Sequence, residues 1–139
     1  MKSDHTFKLD YIAFIAIVTS MFSLAACGPG AARPEDIGDP QNGERVFTTG
    51  TESVSSACAG CHSLDGSQKE GENAGPSMQG IAETAATRTD QTAEEYLRES
   101  ITNPGAFIVE GYRNNMEQGY QYLLTEEEIN DLVAFMLTQ

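Results

Sequence analysis

The sequence predicts an all-α protein, and three observations carry that prediction. Thr92 with Glu95 and Thr125 with Glu128 each form a T-x-x-E capping box just ahead of an apolar pattern of helical period. Asp39-Pro40 opens a third such pattern with a good N-cap and a residue suited to the first helical position. No stretch sustains the alternation of apolar and polar residues that a half-buried strand needs. The 139 residues suffice for one domain, and no internal repeat is present.

The chain begins with a short polar segment, Met1 to Asp10, holding Lys2 and Lys8. A continuous apolar run follows from Tyr11 to Val18 and continues weakly to Ala26. Its sixteen residues fall short of the ~20 of a spanning helix. A charged start, an apolar stretch and a small-residue end are the parts of a secretory leader. Gly28, Pro29, Gly30, Pro34 and Gly38 then mark a flexible tether.

The first domain helix is expected over Pro40 to Thr49, with Gly43, Val46 and Phe47 on one face. Thr48 to Ser56 is rich in Thr, Ser and Gly and predicts a loop. Leu64 to Asn73 predicts an exposed loop, and Ala74 to Ile81 a tightly turning backbone. Ala82 to Asp90 is weakly patterned and suits a short helix. Thr92 to Thr102 buries Tyr96, Leu97, Ser100 and Ile101, and Asn103-Pro104-Gly105 stops it. Ala106 to Gln121 has no sustained period yet holds Phe107, Ile108, Val109, Tyr112, Met116 and Tyr120, as a loop wrapped around something does. Thr125 to Thr138 closes the chain with Ile129, Leu132, Val133 and Met136 on one face.

Cys58-Ala59-Gly60-Cys61-His62 stands between these elements. C-x-x-C-H is the attachment signature of a covalent haem: each thiol adds to one vinyl group, and the histidine is placed to bind the iron. A structural zinc site needs about four N/S ligands. The chain has three cysteines and two histidines, with no second C-x-x-C pair. A thioredoxin-like site needs a βαβ context that is missing.

The other iron ligand decides between electron transfer and gas or peroxide chemistry. His5 falls in the expected leader, so His62 is the one histidine of the mature chain. Three methionines follow it: Met78, Met116 and Met136. Met136 lies on the apolar face of the last helix, where packing explains it. Met78 is close in sequence to the histidine side. Met116 lies in the aromatic-rich loop far downstream, which can cross to the opposite face, and is favoured over Met78.

The net charge is −13. Two basic and two acidic residues cancel before Cys27, leaving six basic against nineteen acidic residues in the rest. That balance argues against nucleic-acid binding. It suits a basic docking partner with salt-sensitive association, and equally plain solubility.

Two resemblances add to this reading. Leu24-Ala25-Ala26-Cys27 resembles the lipobox of bacterial lipoproteins. That implies cleavage before Cys27, a lipid on its sulfur, and a domain held on the extracytoplasmic (periplasmic) face of the membrane. The implied division is 1–26 signal peptide, 27–38 tether and 39–139 folded domain.

The stretch from Asp39 to Gln139 resembles a class I cytochrome c domain, especially the small cytochrome domains of bacterial respiratory complexes. The resemblance implies about four helices around one covalent haem c. It implies that Gly43 and Phe47 pack against Leu132 to Phe135, and that the Pro76 carbonyl accepts a hydrogen bond from His62. It also implies that Met78 sits beside the haem and that Ile108 to Tyr112 leads to a methionine-bearing loop with Met116 as ligand. Arg88 and Arg113 are candidate partners of the propionates. Two departures stand out: Glu117 replaces the proline that usually follows the methionine, which predicts a less rigid loop, and the Thr48–Ser56 segment is long.

The implied function is single-electron transfer between redox proteins, without catalysis by the chain itself. The setting would be a respiratory or photosynthetic membrane complex, either quinol-oxidising or a terminal oxidase. The competing expectation is a haem-based sensor or peroxidase-like protein with an open or labile sixth position.

Overall fold

The computed structural model describes residues 32–139. The expected signal peptide, Cys27 and the tether up to residue 31 lie outside the described residues. Those residues contain six α-helices and one 3₁₀ turn, without a strand. The helices are α1 (Pro34–Ile37), α2 (Pro40–Thr49), α3 (Ile81–Ala85), α4 (Ala93–Thr102), α5 (Tyr120–Leu123) and α6 (Glu126–Met136); the 3₁₀ turn is Cys58–Gly60. The all-α expectation holds. Helices α2, α3, α4 and α6 correspond to the four expected from sequence.

The two extra helices, α1 and α5, are single turns of four residues. Helix α1 falls at the end of the segment read as tether. There Ile37 packs against the core, and Gly38 lies so close to α6 that a Cβ would be 2.6 Å from the Asn130 carbonyl carbon. The last residues of that segment are therefore part of the folded body.

Helices α2 and α6 form the frame. Asp39 caps α2 by accepting from the Gln41 N–H at 2.9 Å. Val46 and Phe47 are buried from α2, and Ile129, Leu132 and Val133 from α6. The helices cross at Gly43, where a Cβ would run into the Asp131 carbonyl and lie 2.7 Å from Phe135 Cβ. That closeness brings the Phe47 and Phe135 rings to a centroid distance of 5.5 Å, tilted by 55°. The expected pairing of Gly43 and Phe47 with the last helix is thus present.

Asp131 is a carboxylate in this buried seam. Its oxygens accept from the Asp39 N–H at 2.7 Å and the Asn42 side-chain amide at 2.6 Å. A buried carboxylate without such donors would be strongly destabilising; here it ties the start of α2 to the middle of α6.

Helix α4 carries its predicted capping box. The Glu95 N–H donates to Thr92 Oγ1 (3.2 Å), and the Thr92 N–H donates to the Glu95 carboxylate (2.9 Å). Arg98 reaches across to Asn130 of α6 at 2.6 Å. These elements leave one side of the core open to a cavity, which the remaining loops wall in.

Candidate haem-binding site

The attachment motif is a 3₁₀ turn. The Cys61 and His62 N–H groups both donate to the Cys58 carbonyl, at 3.1 and 2.9 Å. This tight winding puts Cys58, Cys61 and His62 on the wall of the same cavity. No disulfide joins the two thiols. Burial pushes the Cys58 thiol up, with a smaller push from Cys61.

The chain then doubles back along the motif. The Gly75 N–H donates to the Cys61 carbonyl at 2.9 Å, and the Met78 N–H to the Ser63 carbonyl at 2.8 Å. These two bonds bring Gly75-Pro76 beside the imidazole. His62 Nδ1 lies 2.8 Å from the Pro76 carbonyl oxygen. A carbonyl only accepts, so Nδ1 must carry the proton, which leaves the Nε2 lone pair for a metal. Burial lowers the pKa of His62 below its ordinary value, and the Pro76 bond opposes this only in part. Both the tautomer and the neutral state are those a metal-binding histidine requires. Gly75 is seated on the ring itself: a Cβ there would lie 2.7 Å from Nδ1 and 2.9 Å from Nε2.

The three methionines after His62 take three different places. Met136 is buried on α6 and belongs to the core. Met78 is also a core residue, 7% exposed, held by its backbone bond to Ser63 on the histidine side. Met116 is half-buried on the wall of the same cavity, in the loop between α4 and α5. The Gln118 side chain donates to the Met116 carbonyl at 2.8 Å.

Glu117 makes a bond of its own within the loop. In place of the usual proline, its carboxylate accepts from the Gly119 N–H at 2.8 Å, just ahead of α5. This bond is local and ties the loop to no other part of the chain.

The cavity measures about 570 Å³, within the ~300–1,000 Å³ of ligand and cofactor sites. Its walls include apolar core residues such as Val46, Leu97, Ile101 and Leu132. A flat apolar macrocycle with two points of attachment fits this donor set and these walls. Among the described residues no group of three or more His, Cys, Asp or Glu could hold a metal ion.

Not every wall residue was singled out from the sequence. Val54, from the long Thr48–Ser56 segment, turns inward and is buried. A turn shapes it: the Thr51 N–H donates to the Val54 carbonyl at 2.9 Å, and the Val54 N–H to Thr51 Oγ1 at 3.1 Å. The lone Val in a polar run was the available signal. Tyr120 of α5 is half-buried, its hydroxyl pKa raised by burial first and then by the nearby Cys58 and Cys61. Arg88 and Arg113 both line the cavity. Arg88 donates to the Tyr96 hydroxyl at 2.8 Å and lies 5.5 Å from the ring centroid, while Arg113 pairs with Glu72 at 3.5 Å.

A small all-α fold whose loops wall a cavity offering two thiols and an oriented imidazole defines a protein with covalently attached haem, of the electron-transfer class. The comparisons agree. The family model described as "Cytochrome c" matches residues 40–139. A relative described as "Cytochrome c6-like", from Nostoc sp. (strain PCC 7120 / SAG 25.82 / UTEX 2576), is 29% identical over 125 residues, covering 90% of this chain and 89% of its own length. The chain belongs to the cytochrome c family. It has a class I, mono-haem domain that binds haem c covalently.

Proposed function

We propose that the chain is a membrane-tethered carrier of single electrons, with Cys58 and Cys61 forming the thioether bonds and His62 and Met116 binding the iron. When bound, the haem supplies a one-electron ferric/ferrous couple, and methionine ligation tends to raise its potential relative to bis-histidine ligation. The chain's residues do the rest. Pro76 and Gly75 orient the imidazole, Met78 lines the cavity beside the haem, and the apolar walls exclude water. The single observation that carries this reading is His62, with Nδ1 committed to Pro76, sharing one cavity with Met116.

The sequence supports the setting. Lipidation of Cys27 after removal of residues 1–26 would anchor the domain on the periplasmic face, each buried CH₂ contributing ~0.8 kcal/mol. Its partners would be redox proteins, including subunits of a respiratory or photosynthetic complex. The relative's printed name, cytochrome c6-like, fits an electron carrier of this kind. The chain itself would transform no substrate. In such a complex, electron transfer to a basic partner would slow as salt rises.

Two measurements test the reading. The oxidised holoprotein is expected to show an iron–sulfur charge-transfer band, abolished by Met116→Ala and retained in Met78→Ala. Retention in Met116→Ala would move the ligand elsewhere. A Cys27→Ser chain should no longer incorporate labelled fatty acid and should leave the membrane fraction. The half-buried position of Met116 and the missing proline favour one second reading, a ligand-binding haem protein with a labile sixth position. Rapid carbon monoxide binding to the reduced parent protein would decide for it.

A further inference from the structure

The loop that carries Met116 is tied to the loop that follows His62. Tyr112 donates its hydroxyl hydrogen bond to Gln68 Oε1 at 2.6 Å. The Asn115 side-chain amide donates to the Glu72 carbonyl. Arg113 pairs with the Glu72 carboxylate at 3.5 Å. All three donors lie within four residues of Met116, and both acceptors lie between His62 and Gly75. Tyr112, Arg113 and Asn115 also line the haem cavity, so the ties run along its rim.

Contacts of this kind do little for global stability, because exposed pairs are screened and mobile. Their placement gives them a different consequence. The Met116 loop lacks the proline that would restrict its backbone, and Glu117 and Gln118 tie it only to itself. Among the described residues, the side-chain bonds from 112–118 to another part of the chain are those to Gln68 and Glu72.

We propose that Tyr112, Arg113 and Asn115 form a clasp on Gln68 and Glu72 that holds Met116 at the haem, and that opening of the clasp sets how readily the sixth position exchanges. This rests on Met116 being the axial ligand. The three are positioning residues: they act through the loop and not on the iron.

The test uses the full-length holoprotein carrying Asn115→Ala, Tyr112→Phe, Gln68→Ala or the last two together. Lys69→Ala serves as a control on the same loop, and Met116→Ala as the fully open reference. Carbon monoxide binding to the ferrous protein reads methionine release, and the charge-transfer band of the ferric protein against pH reads ligation. Loss of one clasp bond is expected to speed carbon monoxide binding about fivefold and to shift loss of the band to lower pH. Asn115→Gln should restore part of the effect through its amide. Tyr112→Phe and Gln68→Ala together should fall short of additivity, because each removes the same bond. Lys69→Ala should match the parent. A slow parent with clasp variants equally slow overturns the clasp alone. A parent as fast as Met116→Ala overturns the ligand assignment, and the clasp with it. Thermal unfolding midpoints close to the parent's would show that any effect is local.

Discussion

His62 is held from two sides by residues that never touch the iron. Pro76 fixes the proton on Nδ1, and Gly75 lies flat against the ring. Overpacking a rigid site costs about 1–3 kcal/mol, and neither neighbour here has slack, since Gly75 is pinned to the Cys61 carbonyl. Gly75→Ala should therefore displace the imidazole, lower stability by about that amount and weaken axial ligation. Guanidinium unfolding with the ferrous absorption spectrum would check it; an unchanged spectrum and midpoint would show the ring to be free to move. At this scale the cysteines and His62 were legible, because covalent attachment dictates their spacing. The Pro76 role came through resemblance, since a backbone acceptor leaves no mark in side-chain pattern. The bond made by Glu117 was not legible: the carboxylate that stands in the place of a rigid proline bonds the backbone two residues on, and only the loop's path shows it.

Between elements, the crossing of α2 and α6 decides how close the two long helices come. Alanine is preferred to glycine in a helix interior by about 1 kcal/mol, so Gly43→Ala would stabilise an isolated α2. The added Cβ meets the Asp131 carbonyl and Phe135 Cβ, which belong to the core. That overpacking, about 1–3 kcal/mol, is expected to win, lowering the denaturant midpoint without changing the slope. Helix α4 offers a pH test. The Glu95 carboxyl sits below its ordinary value of 4.5 because the Thr92 N–H, and then its hydroxyl, donate to it. A folded-state value below the unfolded one gives stability above 4.5 that is lost as pH falls through the folded value. Glu95→Gln should be less stable than the parent near neutrality, with the gap closing on acidification. A gap independent of pH would mean the charge plays no part. Helices α4 and α6 were legible through their capping boxes and apolar period. Helices α1 and α5 were not, because a single turn has no period to read and forms only where packing holds it: Ile37 against the core, and α5 behind the Gly119 N–H bond to Glu117.

Across the whole molecule, the core and the cavity wall are largely the same residues. Val46, Phe47, Leu97, Ile101, Leu132 and Met136 belong to both. Composition and charge were readable in advance, but not this sharing, which depends on where loops such as the one carrying Val54 close. It makes the haem part of the folding problem. Without haem, the apolar walls of a space of about 570 Å³ face water instead of a packed macrocycle, and much of the burial that holds the core together is lost. Domains of this size have only about 5–15 kcal/mol of stability. A chain that never receives haem should therefore not keep the native arrangement around an open cavity. Cys58→Ser with Cys61→Ser, made without haem, is expected to lose the cooperative thermal transition and bind a hydrophobic dye, while keeping part of its helical circular dichroism. The capping boxes of α4 and α6 are local and should supply that remaining helicity. A sharp transition near the holoprotein's would instead mean that the walls collapse onto one another, and that the haem adds function to a fold already complete without it.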